Sequence, residues 1–163
     1  MIITTPVRTL NVTSARVLYS QQVGVPNSNT TREYRLMTFN DGKKSQLYVE
    51  VEDGRSGRVL RTFSLGEALT FRKPQATVDG ANNLHILFLN SPSVYTHVRI
   101  NPDGRKLGQD YFKRGATGDP RLMTFANGEV RTAGGVPHDP NRAAAVRSKV
   151  RRLSERPPYA YRR

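Results

Sequence analysis

The sequence contains neither cysteine nor tryptophan, and the lack of cysteine excludes three kinds of chemistry. Without a thiol the chain can form no disulfide, no thiolate nucleophile and no cysteine zinc site. The sequence also lacks any apolar run near the ~20 residues that a membrane-spanning helix needs. Its opening residues, MIITTPVRTLNV, show neither the charged first region nor the long apolar region of a secretory signal. We therefore predict no membrane span, and the compartment stays open.

Acidic residues are also few. The sequence has 13 Asp and Glu and 26 Lys and Arg, which gives a net charge of +13. The excess is uneven, since residues 141–163 hold eight basic residues and a single acidic one, Glu155. A segregated basic segment of this kind usually binds a polyanion or an acidic surface on a partner.

No arrangement of residues in the sequence is typical of a catalytic site. Acid–base catalysis needs paired carboxylates, or a histidine and a carboxylate, in one cleft. The aspartates at 41, 53, 79 and 103 all lie in glycine-bearing turns, where Asp side chains bind nearby backbone groups. Ser56, in GRSGR, lacks the flanking residues of a nucleophile elbow. We predict that the protein is not an enzyme and that it holds no cofactor.

Three histidines are present, at positions 85, 97 and 138. His85 and His97 fall in adjacent predicted strands, where their side chains could face each other. A metal site would need a third ligand, and the sequence has no cluster at ligand spacing. We therefore predict ordinary strand histidines and no metal site.

Short segments rich in β-forming residues recur along the chain and are separated by turns that contain Gly, Asn, Asp or Pro. In QLYVEVE, residues 46–52, Leu47, Val49 and Val51 alternate with polar neighbours and define one apolar face. The pattern predicts an all-β fold in which antiparallel strands follow one another in a meander. The predicted strands of the first two rounds are residues 16–23, 34–39, 46–52, 58–63, 75–79, 84–89, 94–100 and 106–112.

One stretch occurs twice, because residues 35–42 read RLMTFNDG and residues 121–128 read RLMTFANG. Arg35, Ala76 and Arg121 hold equivalent places in three rounds of strand, turn and strand, 41 and 45 residues apart. A period of about 40–45 residues with about four short strands is typical of β-propeller blades. We predict that RLMTF is the innermost strand of its unit in the first and third rounds. The alternative is that the five residues RLMTF recur by chance and mark no structural repeat.

The segments PQATVDGANNLHILFL and THVRINPDGRKLGQ resemble repeats of bacterial β-propeller proteins of unassigned function, and the resemblance covers residues 33–135. It implies blade-like sheets and an exported, periplasmic or extracellular protein. Roughly three units are fewer than the four or more blades of a closed propeller. The sheets would therefore form a partial or open propeller, or a sandwich, unless another copy completes the ring. Unpaired strand edges would then favour an oligomer or a larger complex.

The C-terminal residues differ in character from the β body, which we assign to residues 1–137. Residues 138–163 are predicted as a short helix and a basic tail, with Asp139 as the N-cap and Pro140 at the first helical position. Val146, Val150 and Leu153 would form a narrow apolar stripe along that helix. The residues predicted to bind a partner or a polyanion are Arg142, Arg147, Lys149, Arg151, Arg152, Arg156, Tyr159, Tyr161, Arg162 and Arg163.

These observations favour a non-enzymatic structural or accessory subunit that binds other protein chains through sheet edges and the Arg-rich C-terminal arm. The first alternative is a nucleic-acid-binding protein whose basic tail contacts phosphates. The second is a carbohydrate-binding module, which predicts that Tyr48, Tyr95 and Tyr111 cluster in one groove.

Overall fold

The computed structural model describes residues 15–41, 44–69 and 71–139, and within these ranges the chain forms eleven β-strands and no helix. The prediction of an all-β, antiparallel fold is confirmed. Accordingly, no helix in the described part of the chain could cross a membrane. The strands are β1 (Ala15–Gly24), β2 (Thr31–Asp41), β3 (Lys44–Asp53), β4 (Val59–Leu69), β5 (Gln75–Val78), β6 (Leu84–Ser91), β7 (Val94–Ile100), β8 (Lys106–Arg114), β9 (Arg121–Thr124), β10 (Val130–Ala133) and β11 (Gly135–His138).

The described strands form three antiparallel units. The first sheet has the order β1-β2-β3-β4, which is the predicted meander. The second sheet has the order β11-β8-β7-β6-β5, so the last described strand returns to the edge beside β8. The third unit, which we call the hairpin, consists of β9 and β10. His138, which we assigned to the C-terminal segment, belongs to β11. The rest of the predicted short helix and basic tail, residues 140–163, lies outside the described residues.

The main core lies between the first and second sheets. The predicted apolar face of β3 is confirmed, because Leu47, Val49 and Val51 are almost fully buried. They belong to the same cluster as Leu84 and Ile86 of β6. Burial of facing apolar rows, at roughly 25 cal/mol per Å² of apolar surface, is what holds two sheets together.

The hairpin covers the opposite face of the second sheet. Leu87, Leu89 and Tyr95 form a second, smaller cluster, against which Leu122 of β9 packs together with Phe112 of β8 and Leu69 at the end of β4. Strand β6 is therefore buried on both faces, which explains why LHILFL is apolar without alternation. The three units are stacked in layers, with the second sheet in the middle.

The two copies of RLMTF do not hold equivalent places, so this part of the repeat prediction is wrong. Arg35 lies in β2, which pairs with β1 on one side and β3 on the other. Arg121 begins β9, which pairs only with β10 among the described strands. The ends of the two strands differ as well. In the first copy strand pairing continues to Asp41, which is registered opposite Lys44. In the second copy the strand ends at Thr124, and Phe125 C=O accepts a turn hydrogen bond from Gly128 N–H. The same five residues therefore belong to a central strand, β2, in the first copy and to a short outer strand, β9, and its turn in the second.

Candidate functional site

A chain of four polar side chains lies between the second sheet and the hairpin. Asp79 Oδ2 is 2.7 Å from His85 Nε2, and His85 Nδ1 is 2.9 Å from His97 Nε2. At the other end, His97 Nδ1 is 2.8 Å from Thr132 Oγ1. We call Asp79, His85, His97 and Thr132 the polar chain.

Local structure explains how the four groups meet. His85 on β6 and His97 on β7 are diagonal neighbours on one face, because His85 is registered opposite Arg99 and His97 opposite Leu87. Asp79 sits in the turn between β5 and β6. Its Oδ1 accepts hydrogen bonds from the backbone N–H groups of Ala81 and Asn83, both at 2.9 Å.

The second carboxylate oxygen of Asp79 is held in the same way. It accepts a bond from the Asn83 side-chain amide at 3.2 Å in addition to the bond with His85. Thr132 on β10 brings the hairpin to the other end of the polar chain. The turn and three strands therefore fix all four positions.

The hydrogen bonds have one consistent direction when both imidazoles are neutral. An ionised carboxylate only accepts, so His85 Nε2–H donates to Asp79 and His85 Nδ1 is left as an acceptor. His97 Nε2–H then donates to His85, and the Thr132 hydroxyl donates to His97 Nδ1. Each of the three bonds then contains a single proton, and both nitrogens of each ring are satisfied.

The surroundings keep Asp79 ionised and His97 neutral. Burial opposes ionisation of Asp79, but hydrogen bonds from His85, Asn83 and Ala81 together hold its pKa below the usual value. Burial lowers the pKa of His97 to about 4, with His85 and Arg99 adding to the effect and Asp110 opposing it. At neutral pH His97 is therefore a weak base, poorly suited to removing a proton from Thr132.

The polar chain borders a cavity of about 420 Å³ that has a charged rim. Arg99 is 3.4 Å from Asp110, and Arg131 is 2.7 Å from Glu129, so the rim charges are paired with each other. No group of three or more metal-ligating side chains occurs in the described residues. The arrangement is suited to fastening the hairpin to the second sheet.

The prediction for the two histidines was partly wrong. They do face each other, but they are members of a four-residue network rather than isolated strand residues. Asp79 caps its turn as predicted and bonds His85 in addition. The sequence signal for that pair is the six-residue spacing in DGANNLH, whereas Thr132 is 35 residues beyond His97 and gives no local signal.

The tyrosines proposed for carbohydrate binding lie on different faces, which contradicts a shared groove. Tyr48 points away from the core of the first sheet and forms a T-shaped pair with Phe39, with ring centroids 5.6 Å apart. Tyr95 is buried under the hairpin. Tyr111 is registered opposite Thr96, next to Tyr95 along β7, and therefore lies on the other face of the second sheet.

The ten residues predicted to bind a partner or a polyanion lie outside the described residues. They are Arg142, Arg147, Lys149, Arg151, Arg152, Arg156, Tyr159, Tyr161, Arg162 and Arg163. That assignment stays a prediction.

Comparison of the chain with protein-family models, with curated proteins and with solved structures finds no match. The geometry of the described residues is therefore the basis for a functional assignment.

Proposed function

We propose that the protein is a non-enzymatic structural or accessory subunit that binds other protein chains through the edges of its first sheet, with the Arg-rich C-terminal segment as a second contact. The neutral, weakly basic His97 supports a structural role for the polar chain rather than a catalytic one.

The observation that carries this proposal is the length of the two outer strands of the first sheet. β1 has 10 residues and β4 has 11, and each pairs on only one side with another described strand. A long edge strand presents a row of backbone N–H and C=O groups that a strand of another chain can pair with. The edges of the second sheet, β5 and β11, have four residues each and offer much less.

Exposed apolar side chains on these edges support the same reading. Val17 on β1 is 43% exposed and Leu60 on β4 is 37% exposed. Edge strands that avoid association commonly carry Lys or Pro at such places. A partner strand paired with β1 would cover Val17, and one paired with β4, at the opposite edge, would cover Leu60.

We further propose that the three stacked units correspond to blades of an incomplete propeller, formed by β1–β4, β5–β8 and β9–β10. The face-to-face stacking of the units and the meander order within each support this reading. On this reading RLMTF is the second strand of the first blade and the first strand of the third.

Substitution of the edge residues tests the proposal. The first partner to test is a second copy of the chain, because each copy carries both edges. Light scattering of the full chain is expected to give a mass well above the 18.3 kDa of one chain. Val17→Lys and Leu60→Lys place a charge on each edge, and we expect either to lower that mass. Phe71→Lys is the matched control, because Phe71 is 65% exposed but lies outside the strands, and it should leave the mass unchanged.

A chain that remains a monodisperse monomer, and whose behaviour does not change when residues 139–163 are deleted, would overturn the proposal. An equal loss of mass in Phe71→Lys and in the two edge variants would also count against it, because the effect would then come from added charge alone.

A further inference from the structure

A second cavity, of about 510 Å³, opens between the end of the first sheet and the segment that leads to the second sheet. Leu47 and Ala68 of the first sheet contribute to its apolar wall. Arg16 at the start of β1 and Arg72 and Lys73 of the connecting segment add three cationic side chains. We call it the crossover cavity.

Thr38, one of the residues that line this cavity, carries a buried hydroxyl group without a partner among the described residues. Thr38 lines the cavity and is only 2% exposed, yet its Oγ1 has no hydrogen-bond partner among the described residues. An unsatisfied buried polar atom costs about 1–3 kcal/mol. A ligand that supplies an acceptor or a donor to Thr38 would remove this cost.

Strand register places the hydroxyl beside a positive charge. Arg16 is registered directly opposite Thr38, and Thr38 directly opposite Leu47. Residues directly opposite each other in antiparallel strands point to the same face of the sheet. The cationic Arg16, the hydroxyl-bearing Thr38 and the apolar Leu47 therefore follow one another in a single row across the first sheet.

The charged side chains among the described residues that line the crossover cavity are all cationic. No Asp or Glu occurs among the described residues that line it. Asp119 lies outside the lining and approaches the Arg72 guanidinium at 3.4 Å, where both side chains are partly exposed. A ligand that complements this lining carries a negative head group and an apolar body.

We propose that the crossover cavity binds a small amphipathic carboxylate. The carboxylate lies near Arg16 and the cations of the connecting segment and accepts a hydrogen bond from the Thr38 hydroxyl. The hydrocarbon part packs on Leu47 and Ala68. The volume falls within the range of roughly 300–1,000 Å³ that is typical of small-molecule sites.

Octanoate is the probe, and its binding to the full chain is measured by titration calorimetry or by chemical-shift changes in NMR spectra. Octanamide has the same apolar body with a neutral head, and acetate has the head without the body. We expect octanoate to bind more tightly than either compound, and its affinity to fall as salt is raised, because the attraction to the cations is screened.

Paired variants assign the binding to this cavity. Thr38→Val keeps the shape of the side chain and removes the hydroxyl, and we expect octanoate affinity to fall roughly 3- to 10-fold. Thr96→Val is the matched control, because the Thr96 hydroxyl is equally buried and equally without a partner among the described residues but does not line the cavity. Neither substitution removes a hydrogen bond, so both variants should fold.

A second pair tests the charge. Arg16→Gln should weaken octanoate binding, whereas Arg58→Gln removes the same charge from an exposed turn and should not. Three outcomes would overturn the proposal. These are equal affinities for octanoate and octanamide, equal effects of Thr38→Val and Thr96→Val, or no binding of octanoate up to about 10 mM.

Discussion

At the scale of single residues, His97 is a group whose charge in mildly acidic solution depends on folding. Its pKa is about 4 in the folded chain against an ordinary value of 6.5, because burial, His85 and Arg99 disfavour the charged form and Asp110 only partly opposes them. Glu129 and Arg131 of the hairpin turn and β10 also line its cavity. A neutral His97 is therefore part of the native state.

The free energy of unfolding should consequently fall as the pH is lowered from about 6.5 to 4. Below pH 6.5 the unfolded chain takes up a proton at this position and the folded chain does not, so acid favours unfolding until the folded pKa is reached. The loss attributable to His97 is at most about 3 kcal/mol. Urea titrations at several pH values measure it, and His97→Gln should show a shallower pH dependence. Parallel pH profiles for the two proteins would contradict the assignment.

Thr132 is the residue through which the polar chain reaches the hairpin. Thr132→Val removes the hydroxyl that donates to His97 Nδ1 and leaves that buried nitrogen without a donor, so we expect a loss of about 1–3 kcal/mol in stability. Thr117→Val is the control, because the exposed Thr117 hydroxyl makes only a long 3.4 Å bond to Gly134 O. Denaturant unfolding of both variants gives the comparison, and equal losses would show that the polar chain does not fasten the hairpin.

At the scale of elements, the hairpin is joined to the second sheet through a close contact between two glycines. Gly80 N–H donates to Gly128 O at 2.8 Å, and Gly128 has a φ of +86°. A Cβ on Gly128 would lie 3.0 Å from Gly80 Cα, so the backbone would have to move. Gly57 also has a positive φ, +71°, but a Cβ there would meet nothing within 4 Å.

Gly128→Ala should therefore cost more stability than Gly57→Ala. Both substitutions carry the penalty of a left-handed conformation, about 1–2 kcal/mol, and only Gly128→Ala also disturbs the docking of the hairpin. Denaturant unfolding measures the total cost, and hydrogen exchange at the Gly80 amide reports the docking bond. If the two costs are equal and exchange at Gly80 is unchanged, the close contact does not hold the hairpin.

At the scale of the whole molecule, the described fold ends before the basic segment. Ending the chain after Pro140 removes a net charge of +7 and leaves +6. Among the described residues, all members of the two core clusters precede this point, so we expect the shortened chain to keep its melting temperature. Thermal unfolding of both chains checks this, and a large drop would mean that residues 141–163 contribute to the core.

The same deletion distinguishes a protein partner from a nucleic acid. If the basic segment contacts phosphates, the logarithm of the binding constant for a single-stranded DNA oligonucleotide should fall linearly with the logarithm of salt concentration. The slope of that line should disappear when the segment is deleted. If the segment is a protein-binding arm, the full and shortened chains should differ in self-association instead. Fluorescence anisotropy at several salt concentrations and light scattering give the two readouts.

Local patterns predicted the strands well and the layer arrangement poorly. The segment 94–100 was predicted as a strand and forms β7, and the apolar face of β3 was predicted residue by residue. Side-chain alternation and turn residues are local properties, so sequence reveals them directly. The return of β11 to the second sheet joins Tyr111 with His138, and nothing local in either segment marks that pairing.

The sequence by itself determined that this chain has no cysteine chemistry, that its charge is concentrated toward the C-terminus, and that its body is an antiparallel β fold. Composition and short-range periodicity are sufficient for those conclusions. Only the tertiary structure decided that Asp79, His85, His97 and Thr132 form one hydrogen-bonded chain. It also placed Arg16 opposite Thr38, whose buried hydroxyl has no partner in the described part of the chain. Sheet stacking and strand register bring together residues far apart in the chain, and no local pattern records which pairs will meet.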